Sequence, residues 1–580
     1  MRREIRTRAM LVRPRFAAVA LGDGHRYGHY GSVDKSQLQI AVELLEHLGG
    51  DLARLADIDA DLRMRLVVAA GRLSRPDRYS RAALGKAVVR ARKQARREAA
   101  VAVLDQTGIR ALRREPVFRT PLPPPEMALD EPPRGDESDA PDPWAVAEAR
   151  RAAPDQAAAL APAAALEPES ATREPSELPR ALDSRHCYVC KADFRELHHF
   201  YDQMCPRCAE LNWAKRTATA DLRGRIVLIT GARVKIGYQA AIKLLRAGAE
   251  VIVATRFPRD AARRFAAEQD AAAWVERLSV YGIDLRHTPS VELLCRHLLA
   301  TLPRLDALIN NACQTVRRPA GWYDHVVAGE AEPASPIERA ILERDRALHG
   351  VLPGRDPHAA GEPGTALARA AAGEIRELGV WRSAVLSQVP LLAEDLERGG
   401  TLYPPGRLDQ DLQQIDHRDF NSWRMTLAEV PTAELIEVQL VNAIAPFVLN
   451  ARLRPLLAAV PTRDAHVVNV SAMEGQFYRR WKTDKHPHTN MAKAALNMMT
   501  RTSAIDYVRD GIHMNSVDTG WVTDEDPAIH AARKVAIHDF HPPLDIVDGA
   551  ARIVDPVFDG IATGRHLWGL FLKDYKPAPW

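Results

Sequence analysis

Residues 225–255 read as strand, turn, helix and strand in immediate succession, and that rhythm limits what most of the chain can fold into. RIVLIT from Arg225 is a buried strand, GARVKIG a tight turn, YQAAIKLLRAGA a helix closed by glycine, and EVIVAT a second strand. Short apolar strands joined through a helix lie parallel, with the helix covering one face of their sheet. The alternation returns in LDALINN and HVVNVS, so the expected fold class is α/β with a doubly wound parallel sheet. The turn runs Thr230-Gly231-Ala232-Arg233-Val234-Lys235-Ile236-Gly237. Glycines there allow a tight bend, and the N–H groups opening the helix suit a pair of phosphates.

Composition divides the rest. At 580 residues the chain exceeds a single core, and 46% hydrophobic with 27% charged residues is ordinary for a globular protein. Residues 1–32 carry no periodicity and are expected to be a flexible arm. Residues 33–115 repeat apolar side chains at helical spacing (Leu38, Val42, Leu45, Leu48, Leu52) and are expected to form a small helical domain. The span 116–184 holds 14 of the 40 prolines and reads as a disordered linker. A zinc-ribbon-like module is expected at 185–215, and the α/β domain at 220–580.

Charge and cysteine usage exclude several partners. The net charge of +4 is small, and the basic excess between Arg81 and Glu115 reads as a solvated helix face, so nucleic acid is not an expected partner. No apolar run approaches the roughly 18 residues of a membrane span. Arg13 and Arg15 interrupt any signal-peptide core, and a cytoplasmic, reducing location is expected. Four of the six cysteines form two CxxC pairs, Cys187/Cys190 and Cys205/Cys208. Paired thiolates at this spacing close a tetrahedral four-cysteine zinc site with no open position, which folds a module rather than catalysing. His198 and His199 in the intervening loop are alternative ligands. Such a module is also a candidate surface for a protein partner.

Further motifs follow the turn in order: Asp284 in YGIDLR, Asn310-Asn311-Ala312, Asn442 in VNAIAPF, Lys493 in AKAALNMM and Thr523 in DTGWVT. With the Gly231/Gly237 turn, these make residues 222–575 resemble the short-chain dehydrogenase/reductases, whose fold is Rossmann-type. The resemblance implies a cofactor site of Thr230, Gly231, Arg233, Ile236, Gly237, Arg256, Asp284, Asn310, Asn311, Ala312, Lys493 and Thr523. The second strand ends Ala254-Thr255-Arg256 without an acid to hold a free ribose hydroxyl. Arg256 and Arg233 can instead pair with a 2′-phosphate, so the expected cofactor is NADP(H).

The chain departs from the family where chemistry is done. Lysine stands at Lys235 in place of the turn's middle glycine. Counting back from Lys493 puts Thr489 where the family has its tyrosine acid, and Ala472 where it has its serine, with Ser471 one place early. Thr489 is a poor proton donor. His488 and Tyr478 are the candidate donors, with His486 beside them. An insertion at about 320–429 leaves the sheet's ligand edge and is read as a lid or recognition element, with a helical stretch at 365–398. The implied activity is an NADP(H)-dependent oxidoreductase acting on an unknown carbonyl or alcohol with a non-standard acid/base group. The alternative is a catalytically silent NADP(H)-binding sensor or scaffold acting through the zinc module and the helical domain.

Overall fold

The computed structural model describes residues 35–122, 179–349, 383–396, 400–478 and 482–580. The arm expected at 1–32, residues 123–178 of the expected linker and 365–382 of the insertion's expected helix lie outside the described residues.

Among the described residues, ten strands form two sheets. The small one pairs β1 (Arg180–His186) antiparallel to β2 (Asp193–Glu196). The large one contains β3 (Ile226–Thr230), β4 (Glu250–Thr255), β5 (Leu278–Gly282), β6 (Ala307–Asn310), β7 (Ala465–Ser471), β8 (Ile512–Asp518), β9 (Phe571–Lys573) and β10 (Lys576–Ala578). Its order is β10-β9-β8-β7-β6-β3-β4-β5, parallel except where β10 returns against β9. Every residue of β3, β5, β6 and β7 is buried, which is why these strands read as continuous apolar runs. One face carries the helices Lys235–Arg246 and Ile546–Thr563, with Leu244 and Val554 in a shared core. The other carries Thr288–Thr301 and Ala445–Ala458, meeting through Leu294 and Leu453. The run Thr432–Ala458 is long and apolar enough by length and composition to cross a membrane, contrary to expectation, and it packs Leu449, Leu453 and Leu457 into this core.

The chain splits into two compact units at Ala95/Arg96, inside the helix Arg78–Leu104. The first unit is helical as expected (Lys35–Gly50, Leu52–Asp57, Ala60–Ser74), but these helices bury no residue. They have the apolar stripe of a domain without its core. The end of the expected helical domain belongs to the second unit. There the helix Gly108–Arg114 buries Ile109 beside Leu197 and Phe200.

The cysteine-bearing segment is part of the same body. It begins before residue 185, because β1 starts at Arg180. The last turn of its helix Pro206–Thr217 carries Arg216, whose buried guanidinium meets Asp545 at 2.6 and 2.8 Å and Asp548 at 2.9 Å at the start of Ile546–Thr563. Tyr201 donates to Asp548 at 2.5 Å. Opposite-charge pairing keeps Asp545 ionised against the penalty of burial. Removing Arg216 would strand two buried carboxylates. Arg216→Ala should therefore cost about 3–5 kcal/mol in chemical denaturation, and Arg216→Lys less. A loss below about 1 kcal/mol for the alanine variant would mean that this cluster does not hold the two parts together.

Candidate functional site

The turn after β3 is built for a close approach. Gly231 has φ of +70°, and a Cβ there would meet the Ala312 backbone at 2.7 Å. A Cβ on Gly237 would lie 2.3 Å from Asn311 Nδ2 and 2.6 Å from the Gly231 carbonyl oxygen. Asn311 donates to the Thr230 and Gly231 carbonyls, and Thr230 Oγ1 accepts from the Asn311 and Ala312 N–H groups. Lys235, at the family's middle glycine, keeps the left-handed backbone with φ of +56°. The turn geometry survives there at a cost of about 1–2 kcal/mol. Lys235 is held among Glu525, Asp411 and Asp409, which outweigh burial and raise its pKa.

A groove of about 540 Å³ opens at the carboxyl ends of β3, β4, β5 and β6. Of the sequence-derived cofactor residues, Gly231, Arg233, Ile236, Gly237, Arg256, Asp284, Asn311, Ala312 and Thr523 line it. Thr230 acts from behind through its bonds to Asn311. Asn310 is a core residue, donating to Asn450 and Asn469 at 2.8 Å. The expected arginine pair resolves unequally. Arg233 is already neutralised by Asp260 at 2.6 Å and bound to Gln413 at 2.7 Å. Arg256 stacks near Phe257 and Tyr323, and its hydrogen-bond partner among the described residues is the Tyr323 phenol at 2.8 Å. Asp284 does not face the groove as a bare carboxylate. Arg286 binds it at 2.7 Å and also reaches Glu437 at 2.6 Å, which keeps the acid ionised despite burial.

The insertion reaches this groove. Gln413, Gln414, Ile415 and Asp416 line it, as do Trp322 and Tyr323. Arg317 anchors the inserted chain, bonding Glu437 at 2.9 Å and Asp395 twice at 2.7 Å. These partners lie far apart in sequence, and none was singled out by sequence reasoning. The acids around Arg317 carry no spacing that could reveal them.

The expected catalytic residues do not line the groove. Asn442 lies in a π-helical turn, Leu440–Ile444, a device common at functional sites. Its side chain accepts from the Gln314 N–H at 2.7 Å and donates to the Gln314 carbonyl at 3.1 Å. Lys493 donates to the Val470 carbonyl at 2.6 Å, leaving two of its three donors. Ser471, at the end of β7, has a buried hydroxyl without a hydrogen-bond partner among the described residues. Thr489 spends its proton on the His486 carbonyl at 2.8 Å. His486 stacks flat on Trp423, ring centres 3.8 Å apart, and burial pushes its pKa down to about 4. The two candidate donors lie off the groove wall. Tyr478 is 97% exposed, and His488 is buried 3.4 Å from Glu434.

Cys187, Cys190, Cys205 and Cys208 converge, their sulfurs all within 4.8 Å of one another and Cys190 and Cys205 at 3.7 Å. Zn–S bonds of about 2.3 Å set tetrahedral S–S separations near ~3.8 Å, so the donor set fits zinc. The Cys190 thiol is pulled down to about 7, chiefly by the Ala192 N–H. His198 stands apart from this set, its Nδ1 accepting from the Phe200 and Tyr201 N–H groups. The knuckle also meets the groove's rim: Trp521 N–H donates to Tyr188 Oη at 2.9 Å, two residues before Thr523.

Glu330, in the insertion's helix Asp324–Glu330, accepts from the Arg259 and Asp260 N–H groups and so fixes the helix that carries Arg233's partner. Burial pushes its pKa up to about 7 from 4.5. The folded state therefore holds this proton more tightly than the unfolded state. Its contribution is complete below about pH 4.5 and lost as pH rises through about 7. Stability of the parent should fall across that window relative to Glu330→Gln. Superimposable pH profiles for the two proteins would rule this out.

The comparisons agree with this geometry. Residues 225–326 match the short chain dehydrogenase family and 418–539 the enoyl-(acyl carrier protein) reductase family, on either side of the insertion. Uncharacterized protein R665 of Acanthamoeba polyphaga mimivirus is 30% identical over 385 residues, 64% of this chain and 71% of that protein. Human retinol dehydrogenase 14 is 40% identical over 106 residues, 16% of this chain and 31% of that enzyme, so the chain spans under a third of its length. Among solved structures, the Pseudomonas aeruginosa RhlG/NADP complex aligns at 18% identity and a TM-score of 0.36, over 61% of this chain and 95% of that one. The turn and strands β3 to β8 lie within the two matched segments, so residues 225–326 and 418–539 are the parts of this chain that are similar to short chain dehydrogenases and enoyl-(acyl carrier protein) reductases.

Proposed function

We propose that this protein is an NADP(H)-dependent oxidoreductase acting on a carbonyl or alcohol, with a proton route that bypasses the family's tyrosine. The observation that carries the reading is the glycine cradle opening onto Arg256. Gly231 and Gly237 leave room that a Cβ would fill, and Arg256 lines the same groove with a phenol, not a carboxylate, as its partner. When bound, the cofactor supplies or accepts the hydride. The turn's N–H groups would hold its pyrophosphate, Arg256 would meet the 2′-phosphate, and Thr523 would line the same groove. Lys493 keeps two donors beyond its bond to the Val470 carbonyl, behind the groove wall. Thr489 gives its proton to the His486 carbonyl and takes no part in proton transfer. The acid/base role falls to an imidazole at that helix start, His488 before His486, because the His486 ring is stacked against Trp423.

The test is titration of purified protein with NADPH and NADH, followed by turnover across carbonyl compounds. NADPH should bind more tightly. Arg256→Ala should weaken NADPH selectively, losing a charge-assisted contact of on the order of 1.5–3 kcal/mol. Equal loss for both cofactors would contradict the assignment. Tight NADPH binding without turnover of any carbonyl would favour the silent sensor.

The same reading gives the cysteine cluster a structural zinc ion. About one zinc per chain should be lost in Cys205→Ala, and the Tyr188–Trp521 contact predicts weaker NADPH binding in that variant. Full zinc retention would refute it. A surface for a protein partner on this module and a cytoplasmic location belong to the same proposal.

A further inference from the structure

A second cluster of metal-ligating side chains lies at the opposite edge of the sheet from the groove. His466 is the second residue of β7, His513 the second of β8, and His566 follows the helix Ile546–Thr563. One ring nitrogen from each lies within 4.8 Å of the others. His466 Nε2 and His566 Nδ1 are 3.0 Å apart, and the three rings pack with centres 4.8–5.5 Å apart. We propose that His466, His513 and His566 form a three-imidazole site for a divalent transition-metal ion, zinc in the first place.

The surroundings are built to bring these nitrogens together. His513 Nδ1 lies 3.2 Å from the Ala465 carbonyl, so its N–H donates there and its Nε2 presents a lone pair, the arrangement that orients metal-ligating histidines. Gly560 leaves the space the cluster occupies, since a Cβ there would sit 2.7 Å from His566 Nδ1 and 3.0 Å from His466 Nε2. His466 is fully enclosed, while His513 and His566 are partly exposed, which gives an ion an entry path and an open coordination position. The nearby acid, Asp464, is held by Arg225 at 2.7 and 3.0 Å and by Thr462. The donor set is therefore nitrogen alone, which suits zinc, nickel or copper over magnesium or calcium.

Tetrahedral Zn–N bonds of about 2.0–2.1 Å require N–N separations near ~3.4 Å, which small ring rotations supply. Without an ion, the 3.0 Å contact is satisfied by one shared proton, and His466 Nδ1 stays buried without a partner among the described residues. An ion here joins β7, β8 and the C-terminal loop. It lies at the amino ends of these strands, away from the groove, so its role is to brace the fold and not to transfer hydride.

The experiment uses full-length protein without a histidine tag, loaded with zinc, dialysed and analysed for metal. The parent should carry one more equivalent than the His513→Gln/His566→Gln variant, whatever the cysteine cluster holds. Added zinc should raise the parent's Tm more than the variant's. If the double variant misfolds by circular dichroism, His566→Ala, at a partly exposed loop position, replaces it. Equal zinc content and equal Tm response in folded parent and variant would overturn the site.

Discussion

The insertion and the cysteine-bearing segment both meet the large sheet at the carboxyl ends of its strands. A parallel sheet whose order reverses at β3, with β4 on one side and β6 on the other, leaves a crevice at its carboxyl ends that no crossover helix can cover. That crevice is the groove. The insertion leaves the chain after Asn311-Ala312 at this edge and returns Gln413–Asp416 to its wall. The cysteine-bearing segment reaches the same edge from the other side, through Tyr188 and Trp521. Two additions with no sequence relation to each other meet the cofactor loops because that edge is where loops are free to be lengthened.

Their attachment relies on buried ion pairs. Arg216 sits between Asp545 and Asp548, Arg286 between Asp284 and Glu437, and Arg317 between Glu437 and Asp395. Such pairs add little net stability, because desolvation offsets attraction, but breaking one strands a charge and is expensive. They fix which surfaces meet. Sharing Glu437 between Arg286 and Arg317 links the Asp284 side of the groove to the insertion through a single carboxylate.

What could be read from sequence was local. The turn, the strands and the Cys pairs are encoded within a few residues of themselves, and the structure keeps them where spacing put them. Lys235 shows the limit of residue identity even there: its backbone adopts the left-handed conformation that glycine normally supplies. Apart from Arg286 with Asp284, the ion pairs were illegible because their partners lie between 78 and 332 residues apart. The three histidines were illegible because the fold, not the sequence, brings them together, His466 and His566 being 100 residues apart. The first helical unit departs from expectation differently, since its apolar spacing is real but its side chains are not buried.

The same distinction bears on catalysis. Loss of the tyrosine is visible in one position, but its consequence lies in the company Thr489 keeps. Its hydroxyl donates to the carbonyl of His486, the residue before its own helix, and His486 is stacked against Trp423, which arrives at the end of the insertion. The insertion reaches both places at once, since it contributes the groove wall at Gln413 and the aromatic ring over His486, so a change in its packing would act on the groove and on this helix start together.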